Sequence, residues 1–80
     1  MTKVTPADIY YLCSNVNVYP TLKFYDYNAW QRGMKKPQWV FKDCDPLNLP
    51  DWAYYGKVEQ FEINDDGSIT FVLEKVETPG

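Results

Sequence analysis

Residues 57–76 read KVEQFEINDDGSITFVLEKV, and no other stretch of the chain defines its own geometry so closely. Apolar side chains alternate on both sides of an Asn-Asp-Asp-Gly-Ser sequence, as in two β-strands joined by a tight turn. Gly67 can adopt the positive φ that such a turn requires. The stretch predicts a β-hairpin in which Asp65, Asp66 and Gly67 form a three-residue loop, a type I turn with a bulge at the glycine.

The register of the two strands follows from the loop length, because a one-residue slip would turn every side chain to the other face. With a three-residue loop, Ile63 would face Ile69 and Phe61 would face Phe71. Such cross-strand pairs contribute about 0.2–1 kcal/mol each and would form one apolar face. An isolated hairpin is marginal in water, so we expect the rest of the chain to cover this face.

One residue of the first strand breaks the alternation. Val58 is out of phase with Phe61 and Ile63. An extra residue in one strand of a pair produces this shift. The sequence therefore predicts a β-bulge near Glu59 and Gln60, or a strand that changes from one sheet to another.

The N-terminal part of the chain predicts one helix. Thr5 can cap it, Pro6 suits its first position, and Asp8 favours the positive end of the helix dipole. Apolar residues then recur at helical spacing, and we expect them to pack on the sheet: Ile9, Leu12, Cys13 and Val16. The predicted helix runs from Pro6 to Ser14 or Asn15.

Three short segments follow. Residues 21–27, TLKFYDY, predict a strand whose second face is aromatic and basic. Residues 28–33, NAWQRG, predict one helical turn, with a continued strand as the competing interpretation. Residues 37–42, PQWVFK, predict a short strand with Trp39 and Phe41 on one face.

The remaining segments complete a single α+β domain, residues 1–80. Residues 43–56 contain two prolines, and residues 50–56 predict either one helical turn or an aromatic loop. Residues 77–80 predict a mobile tail. The predicted fold is one N-terminal helix packed on an antiparallel sheet of about four strands that ends in a C-terminal β-hairpin.

The composition supplies more aromatic surface than so short a chain is expected to bury. The 80 residues include three Trp, seven Tyr and four Phe. A domain of this size buries only about two-thirds of its unfolded surface. Some rings are therefore expected to be exposed, and exposed Tyr and Trp are enriched at interfaces.

Charge, hydropathy and cysteine content indicate where the protein is expected to reside. The net charge is −3, with +4 on residues 1–42 and −7 on residues 43–80. The N-terminus has no apolar signal region and no stretch is long enough to span a membrane, so we expect a cytoplasmic protein without membrane contact. Cys13 and Cys44 are then expected to be reduced, buried and structural.

The sequence offers little catalytic equipment. It contains no histidine, which removes the commonest general base and imidazole ligand. The spacing of Asp43, Asp45 and Asp51 lacks the glycine and the distal glutamate of an EF-hand loop, and a solvated acidic loop explains it better. No glycine-rich phosphate loop is present. We expect no enzyme activity, no metal and no cofactor.

The composition favours a non-catalytic macromolecular binding protein, a small protein–protein interaction module or inhibitor. The exposed aromatics and one arginine are the predicted partner-binding residues: Tyr25, Tyr27, Trp30, Arg32, Trp52, Tyr54 and Tyr55. In the competing interpretation, tryptophans such as Trp52 simply fill the core. A variant of the hypothesis uses the acidic C-terminal half as a mimic of a phosphate backbone, as small inhibitors from phages and other mobile elements do. A homodimer could also form through residues 21–27 or 37–42, if either strand lies at a sheet edge.

The alternative hypothesis is a nucleic-acid-binding module. Residues 27–42 contain four cations and no anion, interleaved with aromatic rings. The residues that would stack on bases or contact phosphates are Trp30, Arg32, Lys35, Lys36, Trp39 and Lys42. The charge of −7 on the second half of the chain opposes this hypothesis, because it would repel a polyanion.

Overall fold

The computed structural model describes residues 3–12 and 19–77, which form one four-stranded sheet with three α-helices and one 3-10 helix. In chain order the elements are α1 (Pro6–Leu12), β1 (Leu22–Asp26), α2 (Tyr27–Gln31), β2 (Trp39–Phe41), the 3-10 helix (Pro46–Asn48), α3 (Asp51–Tyr54), β3 (Val58–Ile63) and β4 (Ile69–Leu73). The predicted α+β class is confirmed.

The strand order across the sheet is β2-β1-β4-β3. β1 pairs antiparallel with β2, and β3 pairs antiparallel with β4, but the central pair of β1 and β4 is parallel, with Leu22 opposite Ile69. The prediction of a wholly antiparallel sheet is therefore wrong. Parallel strands need a long crossover connection, and residues 27–68 supply it while also forming both edge strands. Alternation within a strand carries no information about the direction of a neighbour so distant in sequence.

The register between β3 and β4 is the one that the sequence predicts. The Cα partners are Phe61 with Phe71 and Ile63 with Ile69. The register then shifts between Val58, which faces Leu73, and Gln60, which faces Val72, so that Glu59 is the extra residue. This irregularity lies where the break in alternation predicts a bulge.

The turn between β3 and β4 also has the predicted form. The Asn64 N–H donates to the Ser68 carbonyl at 2.8 Å, and the Gly67 N–H donates to the Asn64 carbonyl at 3.0 Å. Gly67 has a φ of 87°. Asn64 is thus opposite both Gly67 and Ser68, which is the geometry of a glycine bulge. The Asp66 carboxylate closes the turn by accepting hydrogen bonds from the Ser68 N–H at 2.9 Å and from its hydroxyl at 2.6 Å.

Most of the core lies on one face of the sheet, the core face. Its buried side chains from the central strands are Leu22, Phe24, Ile69, Phe71 and Leu73. Ile9 of α1, Leu49 after the 3-10 helix and Ala53 of α3 pack against them. The opposite face, the α2 face, carries Tyr25 and Val72, which are partners in the parallel register.

α1 begins as predicted. The Thr5 hydroxyl accepts a hydrogen bond from the Asp8 N–H at 3.3 Å, and the Thr5 N–H donates to the Asp8 carboxylate at 2.9 Å. The buried residues of the helix are Pro6, Ala7, Ile9 and Tyr10. Leu12 is 87% exposed, so the prediction that it packs on the sheet is wrong. Successive residues of an α-helix are rotated by 100° about its axis, so burying the larger Tyr10 ring turns Leu12 toward solvent. Cys13, Val16 and the predicted end of the helix lie outside the described residues.

The two other α-helices are short: α2 agrees with the predicted turn at residues 28–33, and α3 is the helical one of the two alternatives predicted for residues 50–56. Asp26 caps α2, where its carboxylate accepts hydrogen bonds from the Asn28 and Ala29 N–H groups at 3.1 and 3.3 Å. The cap at Asp26 therefore lies two residues before the start of the predicted turn at residue 28, and the competing interpretation of a continued strand is excluded. Gly33, with a φ of 83°, follows the helix. α3 ends at Tyr54, shortly before a glycine.

Candidate functional site

The aromatic residues predicted as partner anchors lie on both sides of the sheet. Tyr25 is on the α2 face, where its ring packs edge-on against Trp30 at 4.8 Å between ring centroids. Phe24, its neighbour in β1, is on the core face and contacts Trp52 of α3 at 5.6 Å. Successive strand residues point to opposite faces. The rings of α2 and α3 therefore do not form one surface.

Exposure also differs among these residues. Tyr25 is only 8% exposed, so it is a core residue and not an exposed anchor. Trp52 is half-buried against the core, in agreement with the interpretation that tryptophans fill the interior. Tyr55 is 59% exposed and packs edge-on against half-buried Tyr54 at 4.8 Å. Tyr27, the first residue of α2, is half-buried, and Arg32, directly after the helix, is exposed. Only some of the predicted aromatic anchors are thus exposed.

The residues of the nucleic-acid hypothesis are also divided. Lys35 and Lys36 lie in the exposed loop that follows α2, whereas Lys42 follows the far end of β2. Trp39 stacks parallel to Phe41 at 5.8 Å, and its indole N–H donates to the Glu77 carbonyl at 2.8 Å. Trp30 lies on the α2 face. The cations and rings therefore do not form one continuous strip.

Three acidic residues of the second half lie at turns or at the starts of helices. The Asp45 carboxylate accepts the Leu47 N–H at 3.0 Å and caps the 3-10 helix. Asp51 lies in the first turn of α3. Asp43 adopts a φ of 46° in the turn that follows β2. Within residues 3–12 and 19–77, no three His, Cys, Asp or Glu side chains are grouped so that they could hold a metal ion.

The cysteine within the described residues is poorly suited to nucleophilic chemistry. Burial of Cys44 raises the pKa of its thiol, and the neighbouring Asp45 carboxylate raises it further. The neutral thiol donates a hydrogen bond to the Asp45 carbonyl at 3.3 Å. A raised pKa lowers the fraction of thiolate, which is the reactive form. Cys13 lies outside the described residues. No helix in the described part of the chain has the length and apolar character to cross a membrane.

β3 is an edge strand, and it exposes apolar side chains that the sequence analysis expected to be covered. All of its residues after Val58 are exposed, with Phe61 at 50% and Ile63 at 53%. These two residues share the core face with Phe71 and Ile69, which are buried. The helices that cover the core face reach β4 but not the end of β3. The expectation that the whole apolar face of the pair is covered is therefore wrong at its outer strand.

The backbone of β3 presents hydrogen-bonding groups at this edge. In an antiparallel pair, residues alternate between those that exchange hydrogen bonds and those whose N–H and C=O groups point away from the partner. Asn64 bonds to Ser68 across the pair. Two-residue alternation then turns the groups of Glu62 toward β4, and those of Phe61 and Ile63 away from it. The open backbone groups belong to the same two residues whose apolar side chains are exposed.

A further hydrogen bond supports this alternation. The Ile69 N–H donates to the Thr21 carbonyl at 3.0 Å, so it points toward β1 and away from β3. Beyond the bulge at Glu59 the phase of the strand changes, and the Val58 N–H points outward and donates at 2.8 Å to the Val4 carbonyl, so this group of the edge is already paired. Among the residues that the structure describes, no backbone group bonds to the outward groups nearer the turn.

The edge is acidic. Residues 57–66 carry one lysine and four carboxylates, a net charge of −3. Lys57 Nζ lies 3.5 Å from Glu59 Oε1. The described residues place no cation within ion-pair distance of Glu62 or of Asp65. Two negative side chains on β3 itself therefore meet solvent, and one of them, Glu62, has no cation partner among the described residues.

A shallow groove of about 170 Å³ opens beside β3 on the α2 face. α2 covers the central strands but leaves a gap between the Trp30 ring and the edge strand. The residues that line the gap are Trp30, Gln60, Phe61, Glu62, Thr70 and Val72. Of the predicted anchors, only Trp30 lines this groove.

Sequence reasoning missed β3 as a site, although one signal pointed to it. β-bulges are over-represented at sheet edges, where they protect the edge from unwanted pairing. The break at Glu59 and Gln60 could therefore have marked β3 as an outer strand.

Comparison with known proteins gives no relative from which a function could be carried over: no family model, no curated protein and no solved structure matches this chain.

Proposed function

We propose that this protein is a non-catalytic binding module that takes up an extended segment of a partner protein as an additional antiparallel strand along β3. The proposal is based on Phe61 and Ile63, because both residues combine outward-pointing backbone groups with exposed apolar side chains. Strand addition of this kind uses backbone hydrogen bonds for affinity and alternate side chains for specificity. The predicted protein-binding role is thus assigned to an edge of the sheet and not to an aromatic surface.

The energetics fit a modest and selective interaction. Phe61 and Ile63 offer two N–H and two C=O groups, and each backbone hydrogen bond contributes about 0.5–1.5 kcal/mol net. Burying more of the two apolar side chains adds about 25 cal/mol per Å² of area removed from water. Association itself costs at least about 4 kcal/mol. The partner must therefore supply side-chain contacts beyond the backbone pairing.

A second copy of this chain fits the edge poorly. Pairing two β3 strands would bring Glu59 and Glu62 of each copy onto one short strip, and like charges directly opposite each other are destabilising. The bulge at Glu59 also twists the edge away from a flat partner. A partner segment without acidic residues avoids the charge repulsion, and a short one needs to pair only with the residues between the bulge and the turn.

The backbone contribution can be tested with two variants of one residue. Phe61→Ala and Phe61→Pro both remove the ring, but only proline removes the outward N–H that a docked strand would use. The probe is the blocked peptide Thr-Thr-Val-Nle-Val-Thr-Thr, where Nle is norleucine, and its dissociation constant is measured by two-dimensional NMR titration. We expect the proline variant to bind about 2- to 10-fold more weakly than the alanine variant, the equivalent of one backbone hydrogen bond.

The same spectra provide the location of binding. Amide shifts should be concentrated on residues 59–63, and Val40→Lys on the opposite edge strand β2 should leave the affinity unchanged. Equal affinities of the alanine and proline variants, or peptide-induced shifts centred on β2, would contradict docking along β3.

A further inference from the structure

We infer that the strand accepted by β3 is basic, and that it places a lysine or arginine opposite Glu62 so that the side chain enters the groove beside Trp30. This inference rests on the proposed strand addition and names the chemistry of the partner. The partner segment is an extended polypeptide in which a cationic residue is flanked by two apolar residues.

The position of the cation follows from the pairing. The backbone groups of Glu62 point toward β4, so on the side of an added strand Glu62 forms a non-hydrogen-bonded pair, the closely spaced kind. Side chains in such a pair project to the same face, with Cα atoms about 4.5 Å apart. Glu62 is the partner of Thr70, which belongs to the groove on the α2 face. A residue opposite Glu62 therefore projects beside its carboxylate at the rim of the groove.

The walls of the groove suit a long cationic side chain. Val72 and Thr70 form its floor and Trp30 forms a wall, so that an aliphatic stem can pack against apolar atoms. The indole ring also attracts a cation placed over its face. Glu62 supplies an exposed carboxylate at the rim, with no cation of the described residues in ion-pair contact. A carboxylate on the partner would face like charge here.

The surrounding charges favour the same partner. Lys57 is paired with Glu59 at the start of the strand. Lys23 is opposite Thr70 in β1, two strand spacings or about 10 Å from Glu62, and an added strand would lie farther away still. Asp65 and Asp66 extend the negative strip beyond Ile63. The docked strand therefore meets mainly carboxylates along its length.

The residues next to the cation are expected to be apolar. They would be opposite Phe61 and Ile63, and their side chains would point to the core face, where the Phe61 ring and the Ile63 side chain are half-exposed. Val, Ile or Phe at these positions would extend the apolar surface of the sheet by one strand.

Three blocked peptides that differ at one position test the inference: Thr-Thr-Val-Lys-Val-Thr-Thr, the norleucine peptide above, and the same peptide with glutamate at the centre. The protein variants are Glu62→Gln and the matched control Glu74→Gln, which removes an exposed carboxylate just after β4. Dissociation constants come from NMR titration, and the Trp30 indole cross-peak reports the groove.

We expect the lysine peptide to bind about 2- to 5-fold more tightly than the norleucine peptide, the range of one cross-strand ion pair, and the glutamate peptide to bind most weakly. Glu62→Gln should remove the advantage of lysine, and Glu74→Gln should retain it. The lysine peptide should shift the Trp30 indole signal more than the norleucine peptide does.

The outcomes separate this inference from the proposed function. If all three peptides bind with equal affinity and still perturb residues 59–63, strand addition stands and the basic partner is wrong. If none of them perturbs these residues, strand addition itself is wrong. If Glu62→Gln leaves the lysine advantage unchanged, the cation does not lie beside Glu62, and the inference fails.

Discussion

Two glycines illustrate how single residues constrain this fold, each for a different reason. Gly67 has a φ of 87° with open space where a Cβ would lie. Gly56 has no such φ, but a Cβ there would be 2.6 Å from the Trp52 carbonyl oxygen and 2.8 Å from Leu73 Cδ1. The first position therefore excludes side chains through backbone strain and the second through packing.

Substitutions at these glycines should separate the two causes. Gly67→Ala should lower the free energy of unfolding by about 1–2 kcal/mol, and Gly67→Asn by less, because asparagine tolerates positive φ. Gly56→Ala should cost about 1–3 kcal/mol through overpacking, and a bulkier residue should cost more. The measurement is urea-induced unfolding. A neutral Gly67→Ala, or equal costs for alanine and a larger residue at Gly56, would contradict these assignments.

Asp66 links the turn after β3 to pH. Hydrogen bonds from the Ser68 hydroxyl and N–H lower the pKa of its carboxyl below the ordinary 3.8, and Lys23 contributes in the same direction. A carboxyl whose pKa is lower in the folded state stabilises the fold fully above its ordinary pKa. That stabilisation is lost as the pH falls through the lowered pKa.

Ser68→Ala should weaken this pH dependence. It removes the hydroxyl donor but retains the backbone one, so the pKa of Asp66 should rise toward its ordinary value. The stability difference between wild type and variant should be largest near neutral pH and should shrink at pH values below the folded-state pKa. A carboxyl-detected NMR titration gives the pKa, and urea unfolding at several pH values gives the stability. An unchanged Asp66 pKa in the variant would refute the role of the hydroxyl.

Among the elements, β3 is an edge strand whose backbone groups alternate between those that bond to β4 and those that point away from it. Proline substitutions should distinguish the two kinds of position. Proline at 62 removes an N–H that bonds to β4, whereas proline at 61 removes one that meets solvent. Relative to alanine at the same position, Glu62→Pro should cost about 1 kcal/mol more than Phe61→Pro. Urea unfolding of the four variants provides the comparison, and a greater cost at 61 would reverse the inferred alternation.

Local signals in the sequence predicted the elements well. The turn at Asp65-Asp66-Gly67, the register of Phe61 with Phe71 and the bulge at Glu59 all depend on neighbours within one hairpin. The cap at Thr5 is local in the same sense. The parallel pairing of β1 with β4 could not be predicted, because the two strands are joined through residues 27–68 and nothing in either strand encodes the direction of its neighbour.

The candidate site was harder to predict than the elements. Tyr25 and Tyr55 are alike as residue types, but Tyr25 is buried beneath Trp30 and Tyr55 is exposed directly after α3. Aromatic composition cannot distinguish a core ring from a surface ring when the rings are divided between two faces of a sheet. Phe61 and Ile63 looked like core residues because their alternation is perfect. The position of β3 in the sheet shows that this alternation ends at an open edge.

Across the whole molecule, the two edges of the sheet differ in charge. Lys36 and Lys42 flank β2 at one edge, whereas Glu59 and Glu62 lie on β3 at the other. The opposite charges of the two chain halves are therefore preserved at the edges of the folded sheet. This arrangement favours a basic segment at β3 and opposes a polyanion there, since opposite charges guide association.

Amide hydrogen exchange tests docking along β3 most directly, because it reports each backbone N–H separately. In the free protein, across a range of protein concentrations, the amides of Phe61 and Ile63 should exchange rapidly while that of Glu62 is protected. Saturating Thr-Thr-Val-Lys-Val-Thr-Thr should then protect the amides of Phe61 and Ile63 and leave Glu62 unchanged. Protection of both amides in the free protein, or rapid exchange of both with the peptide bound, would contradict strand addition at β3.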